Sequence, residues 1–238
     1  LSRYGKVDIL WLDGGWVAKE NRGQDLDMPE VARIARKNQP GIIIVDRTIH
    51  GPYENYQTPE RTIPDRLLPY PWESCIPLSD DWGWVPRPRW KSARQVINTL
   101  IEVVAKGGNL VLGIGPTAEG LIQPEAEERL REIGRWLKRN GKAIYGTRPL
   151  AEAPRSPLWF TSSKEGTAAY VLLALPEGEP LPATLSWNGL MPKHGSSVRL
   201  VATGQKLKWA TRGDQVTVTL PKGLPREPIA VEFIVGKE

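Results

Sequence analysis

Cysteine is almost missing: Cys75 stands alone among 238 residues. A single thiol excludes an internal disulfide and any zinc site built from several cysteines. It leaves the compartment open, since a secreted enzyme can lack disulfides. Histidine is as scarce, and His50 and His194 lie too far apart in sequence to suggest a metal centre. No apolar run approaches the ~18 residues that a membrane span needs. No charged start followed by an apolar stretch reads as a signal peptide. Leu1 stands where a methionine would, so processing or a boundary is expected upstream. Phenylalanine is sparse too, two against ten tryptophans. Large aromatics fill cores, but an indole face also suits the C–H face of a pyranose.

What is there is an ordinary globular composition, 40% hydrophobic and 25% charged with a net charge of +5. The length suits one large or two modest domains. Basic and acidic residues are interleaved, most densely from Glu125 to Lys142, which reads as a solvated helix face. A nucleic-acid footprint would need its charge gathered on one stripe. Neither nucleic acid nor membrane is therefore an expected partner. A generally basic surface weakly favours acidic glycans.

Residues 7–12 (VDILWL) form a short apolar run ending in Asp13-Gly14-Gly15, the pattern of a buried parallel strand feeding a loop. A helix is expected over 27–37, with Asp27 as N-cap, Pro29 in the first turn and Val31, Ile34 and Ala35 on one face. Pro40-Gly41 breaks it, and residues 42–45 form a second apolar strand ending in Asp46-Arg47. The order is β-α-β with polar residues at the strand ends. Residues 48–91 form a long loop rich in proline and aromatics, with a short strand near 72–76. Ser92 then caps a helix whose apolar face is Val96, Ile97, Leu100, Ile101 and Val104, ended by Gly107-Gly108. A strand over 109–113 and an amphipathic helix over 123–140 follow. Beyond Tyr145-Gly146 the segments become short and β-branched between Gly/Pro turns, the signature of an all-β sandwich from about residue 148.

Reactive groups of parallel barrels sit just past the strand C-termini. Asp13 occupies such a position, and Glu54, Glu60 or Glu73 in the long loop could face it. A carboxylate pair is what glycoside hydrolysis needs: one group attacks the anomeric carbon, the other protonates the leaving oxygen. A strand-end aspartate can equally cap a helix. The glycines between Gly107 and Gly120 resemble a phosphate cradle, but no G-x-x-x-x-G-K-[ST] spacing is present, so a nucleotide site is not expected. Cys75 lacks a histidine partner and reads as a small buried apolar residue.

The stretches DILWLDGGW, IIIVDRT, GPYENYQTPER, PWESC, WGW, VAKGGNLVLGIGPTAEG and RLREIGRWLKRNGKAIYGTRP, taken in order, resemble the α-L-fucosidases of glycoside hydrolase family 29. The resemblance runs from Val7 to Pro149; beyond that it is one of position and β character. It implies a retaining exo-glycosidase without a cofactor, acting on fucosylated glycans. It puts the nucleophile at Asp13, with Trp11 shaping the sugar pocket and Arg47 reaching both the sugar and the nucleophile. Glu60 is preferred as the acid/base, on the expectation of a raised pKa in a half-buried loop. Glu73 is the second choice, or a substrate contact, and Trp82 and Trp84 line the site.

The resemblance also implies an α/β fold: the second half of a (β/α)8 barrel over residues 1–147, then a β-sandwich over 148–238. The first half of the family barrel has no counterpart in the sequence. An open sheet edge of this kind favours association, either with a second copy or with an N-terminal half-barrel. The alternative function is an inactive carbohydrate-binding or self-assembling fragment.

Overall fold

The structure, a computed structural model, describes residues 1–14, 23–47, 50–150 and 157–236. Gly15 and Trp16 of the first motif, and Thr48 at the head of the long loop, lie outside the described residues.

Strand β1 (Ile9–Leu12) pairs in parallel with β2 (Ile43–Asp46), Ile9 opposite Ile43 and Leu12 opposite Asp46. Helix α1 (Met28–Asn38) makes the crossover. Its Asp27 carboxylate accepts from the backbone N–H of Glu30, Pro29 lies in the first turn, and Arg36 and Lys37 face the negative end. Leu10 and Leu12 pack with Met28, Ala32, Ala35 and Ile44. The buried stripe is thus Met28, Ala32 and Ala35, and the expected Ile34 is exposed. Two alanines let the helix approach the narrow two-stranded face, and the register they set turns Ile34 away.

Strand β3 (Glu73–Pro77) pairs in parallel with β4 (Asn109–Gly113). Helix α2 (Ala93–Ala105) precedes β4 and starts at a capping box, Ser92 and Gln95 each bonding the other's backbone. Helix α3 (Pro124–Asn140) follows β4. The long loop between β2 and β3 is tied down by backbone pairing. Asn55 exchanges hydrogen bonds with Ile44 of β2, both 2.8 Å, while Gln57 bridges Trp72 and Glu60 bridges Cys75 in parallel fashion. Residues 55–61 therefore run as an extended connector between the two strand pairs. Trp72 is fully buried, and its ring fills the space that a side chain at Gly108 would need.

Among the described residues, eight antiparallel strands form one further sheet: β5 (Thr147–Pro149), β6 (Leu158–Ser163), β7 (Ala168–Leu173), β8 (Thr184–Asn188), β9 (Val198–Leu200), β10 (Lys206–Arg212), β11 (Gln215–Thr219) and β12 (Ile229–Ile234). Their order across the sheet is β5-β6-β7-β12-β9-β10-β11-β8. One core, with Phe160, Val171, Trp187, Val218 and Phe233, joins both halves of this sheet, as a β-sandwich requires. Trp187 stacks on Phe233 at 5.7 Å. The opposite face of β6, β7 and β12 presents Trp159, Tyr170, Leu172 and Ala230 to α2 and α3. Trp136 of α3 is buried there, its indole N–H donating to the Pro228 carbonyl at 2.7 Å. The helices thus cover parallel strands on one side and the antiparallel sheet on the other.

The parallel strands present a different surface away from those helices. Ile9 (47% exposed), Ile43 (39%), Trp11 (36%) and Val111 (40%) stand open on it.

Candidate active site

Register creates the centre of the site. Because Leu12 lies opposite Asp46, the next residues, Asp13 and Arg47, emerge side by side, and the Arg47 N–H donates to the Leu12 carbonyl at 3.2 Å. Arg47 Nη1 then donates to Asp13 Oδ1 at 3.1 Å, an oxygen that also accepts from the Gly14 N–H at 3.0 Å. Arg47 Nη2 reaches Glu60 Oε2 at 2.5 Å. The second carboxylate oxygen, Glu60 Oε1, accepts from Trp82 Nε1 at 2.9 Å. One guanidinium therefore holds two carboxylates, and its carbon lies 4.7 Å from the Trp11 ring centre. Trp11 Nε1 donates to Glu73 Oε1 at 2.9 Å.

The structure thus joins Asp13, Arg47, Glu60, Trp82, Trp11 and Glu73 in one connected group. Trp84 is exposed, and among the described residues it makes no hydrogen bond or ring contact with that group. Glu54 turns aside to pair with His50 Nδ1 at 3.0 Å. The glycines after β4 have a packing reason. A Cβ on Gly113 would come 2.9 Å from the Trp82 ring, and one on Gly115 would meet the Gly83 backbone at 2.3 Å. They let the Trp82-Gly83-Trp84 turn lie against the end of β4.

Electrostatics correct one expectation. The Glu60 carboxyl is held below the usual glutamate range, chiefly by its hydrogen bond to Arg47; burial, the next largest effect, pushes it up, and the Trp82 bond and the charges of Arg47 and Arg61 add to the lowering. The raised pKa expected of an acid is absent here because Arg47 occupies the group.

Tyr56 was not among the residues selected from sequence. Burial, the charge of Glu73 and a hydrogen bond to it push the Tyr56 phenol up to about 12. Its signal was the tyrosine of E-N-Y-Q-T-P-E, four residues before Glu60 and aligned with the connector. Cys75 is buried, and burial raises its thiol above the ordinary range, while Arg47, Glu60, Glu73 and Asp13 act on it through space. A hollow of about 670 Å³ at the opposite ends of β3 and β4, between Tyr70 and Tyr145, contains no carboxylate.

Two carboxylates gripped by one arginine, bordered by indole rings, make a site suited to a neutral polyol with apolar C–H faces. The sequence profile of the alpha-L-fucosidase family matches residues 1–142, more than half the chain. The chain is 29% identical to the tissue alpha-L-fucosidase of Bos taurus over 247 residues, covering 98% of this chain and 51% of that protein. It is 30% identical to the alpha-L-fucosidase of Branchiostoma floridae over 230 residues, covering 90% of this chain and 49% of that protein. Among solved structures, alpha-L-fucosidase isoenzyme 1 from Paenibacillus thiaminolyticus superposes with a TM-score of 0.83 at 25% identity, covering 99% of this chain and 59% of that one. The Thermotoga maritima alpha-fucosidase in complex with fucose gives 0.76 at 27%, covering 95% and 52%. The chain belongs to the alpha-L-fucosidase family. It spans about half the length of the curated relatives it matches.

Proposed function

We propose that this chain carries the catalytic carboxylates of a retaining exo-α-L-fucosidase, releasing fucose from glycans through a covalent glycosyl-enzyme intermediate. The observation that carries the reading is the shared grip of Arg47 on Asp13 and Glu60 at the ends of parallel strands. Asp13 attacks the anomeric carbon, while Glu60 protonates the departing oxygen and later deprotonates water. Arg47 holds the Asp13 carboxylate in place for that attack. Trp11, Trp82 and Trp84 offer apolar faces to the sugar, and Glu73 takes a hydroxyl. No cofactor is needed for this chemistry.

Glu60 rests as a carboxylate against Arg47, so it must gain its proton as substrate enters. A glycosidic oxygen between the two side chains separates Glu60 from Arg47 and excludes water. Both changes raise the carboxyl toward a donating pKa.

Residues 1–147 are read as part of a (β/α)8 barrel and 148–238 as a separate β-sandwich domain. The open apolar surface formed by Ile9, Ile43, Trp11 and Val111 supports this, since a barrel packs such residues inward. The strands that cover it come from another stretch of chain or from a second copy. A second reading, a fucose-binding module without turnover, draws on the Glu60–Arg47 pair, which leaves no proton to donate at rest. The test is nitrophenol release from an aryl α-L-fucoside by the chain, alone and mixed with the upstream half of a relative. Turnover that disappears in Asp13→Gly supports the hydrolase. Turnover that survives that substitution removes Asp13 as nucleophile, and calorimetric fucose binding without turnover supports the module.

A further inference from the structure

We infer that Arg61 is a positioning residue for Glu60, holding the Trp82 indole against the Glu60 carboxylate. The inference rests on the reading of Glu60 as the acid/base.

Arg61 has a positive φ of 57°, uncommon for a residue with a side chain. Its backbone continues the connector, the N–H donating to the Cys75 carbonyl at 2.8 Å. Strain of this kind persists where the surroundings enforce it, and it gathers at functional sites. Here the turn sends the side chain onto the loop of residues 78–91. Arg61 Nη1 donates to the Asp80 carbonyl at 3.2 Å, and the guanidinium carbon lies 5.1 Å from the Trp82 ring centre. The same Trp82 donates to Glu60 Oε1. A residue next to Glu60 in sequence thus reaches it a second time, through a tryptophan 22 positions beyond Glu60.

The loop is otherwise anchored at its two ends. Lys91 Nζ donates to the carbonyls of Pro77 at 2.7 Å and Ser79 at 2.8 Å, and Arg89 pairs with Asp80 at 2.9 Å. Trp82 lies between those anchors, against the bare backbone of Gly113. The Arg61 stack fixes its ring where the loop meets Glu60.

The charged and titratable groups around Glu60 come from every neighbouring element. They are Asp13 and Arg47 past β1 and β2, Glu73 and Cys75 on β3, Arg61 on its own segment, and Tyr56 on the connector beside Glu73. Asp80 and Lys91 act on the loop side, around Arg61. Arg61 adds positive charge near Glu60 and lowers its carboxyl. Its loss acts in the opposite direction.

The test follows Glu60 directly by carboxyl-carbon NMR of the full chain, with the resonance assigned by its absence in Glu60→Gln. In Arg61→Gln the Glu60 midpoint moves upward, and the Trp82 indole proton shifts toward its free position. Arg61→Lys restores charge without a planar stack, so the midpoint returns toward wild type while the Trp82 signal does not. Arg61→Gly suits the positive φ and so removes the side chain without burdening the backbone. It melts no earlier than wild type and shows the same upward shift. An unchanged Glu60 midpoint and Trp82 signal in Arg61→Gln and Arg61→Gly overturn the inference. The alkaline limb of kcat/KM on an aryl α-L-fucoside is read alongside. A limb that stays still while the Glu60 midpoint moves leaves the role of Arg61 standing and removes Glu60 as the acid.

Discussion

Arg47 Nη2 lies 2.5 Å from Glu60 Oε2, and the arginine side chain is 13% exposed. That contact holds the Glu60 carboxyl down in the free protein. The alkaline limb of kcat/KM reports the acid of the free enzyme. It is therefore expected on the acidic side of neutrality. In Arg47→Met the limb moves to higher pH, because the hydrogen bond that chiefly lowers the carboxyl is gone. Activity falls as well, by about 100-fold, since both carboxylates lose their common anchor. A pH–rate profile of the two proteins checks both effects.

Glu60 and Glu73 are distinguished by azide. With Glu60→Ala, an activated aryl fucoside still loads Asp13, and azide, which needs no general base, releases α-fucosyl azide with retained configuration. Glu73→Ala gives no such rescue, because its acid/base is intact. Product NMR reads the anomeric configuration. Rescue of Glu73→Ala alone would exchange the two roles.

Tyr56 gives a stability prediction with a definite sign. Its folded pKa is about 12 against an ordinary tyrosine value of 10.0, so between those values the unfolded chain loses the proton first. Fewer protons on the unfolded state mean that stability falls as pH rises. The contribution is whole below pH 10 and lost by about pH 12. Tyr56→Phe flattens this part of the stability curve, measured by urea midpoints across alkaline pH.

Two glycines make opposite predictions under the same substitution. A Cβ at Gly108 would stand 2.5 Å from the ring of the fully buried Trp72. Gly108→Ala is expected to cost ~1–3 kcal/mol through overpacking. Gly134 is exposed on α3 with nothing near its Cβ position. Gly134→Ala is expected to gain roughly 0.4–1 kcal/mol from helix propensity and a restricted unfolded chain. Each kcal/mol corresponds to about 2–4 °C in Tm for a chain of this size.

The parallel strands and the α-helices of the described residues were legible because their apolar runs are bounded by strong signals: Asp27 and Pro29, Ser92, and Pro124 with Gly141. The face of α1 was misread, since Ala32 and Ala35 carry less hydrophobic weight than the exposed Ile34. Strand β6 has no alternating pattern to read, because Trp159–Ser162 are all buried, between the sandwich core and the helices. Strand β10 is mostly exposed and offers little apolar pattern at all. At the site, Asp13 and Arg47 could be found as strand-end residues. The Trp82–Glu60 bond, the Tyr56–Glu73 contact and the turn at Arg61 each depend on an irregular segment with no periodicity, so sequence carries no geometric signal for them.

The most direct test of the account is covalent. The chain, alone and supplied with the upstream half of a relative, is treated with 2-fluoro-fucosyl fluoride, digested and sequenced by mass spectrometry. The expected product is a 2-fluoro-fucosyl ester on Asp13, absent from Asp13→Gly. An ester on Glu60, Glu73 or any other carboxylate, with Asp13 unmodified, would contradict it.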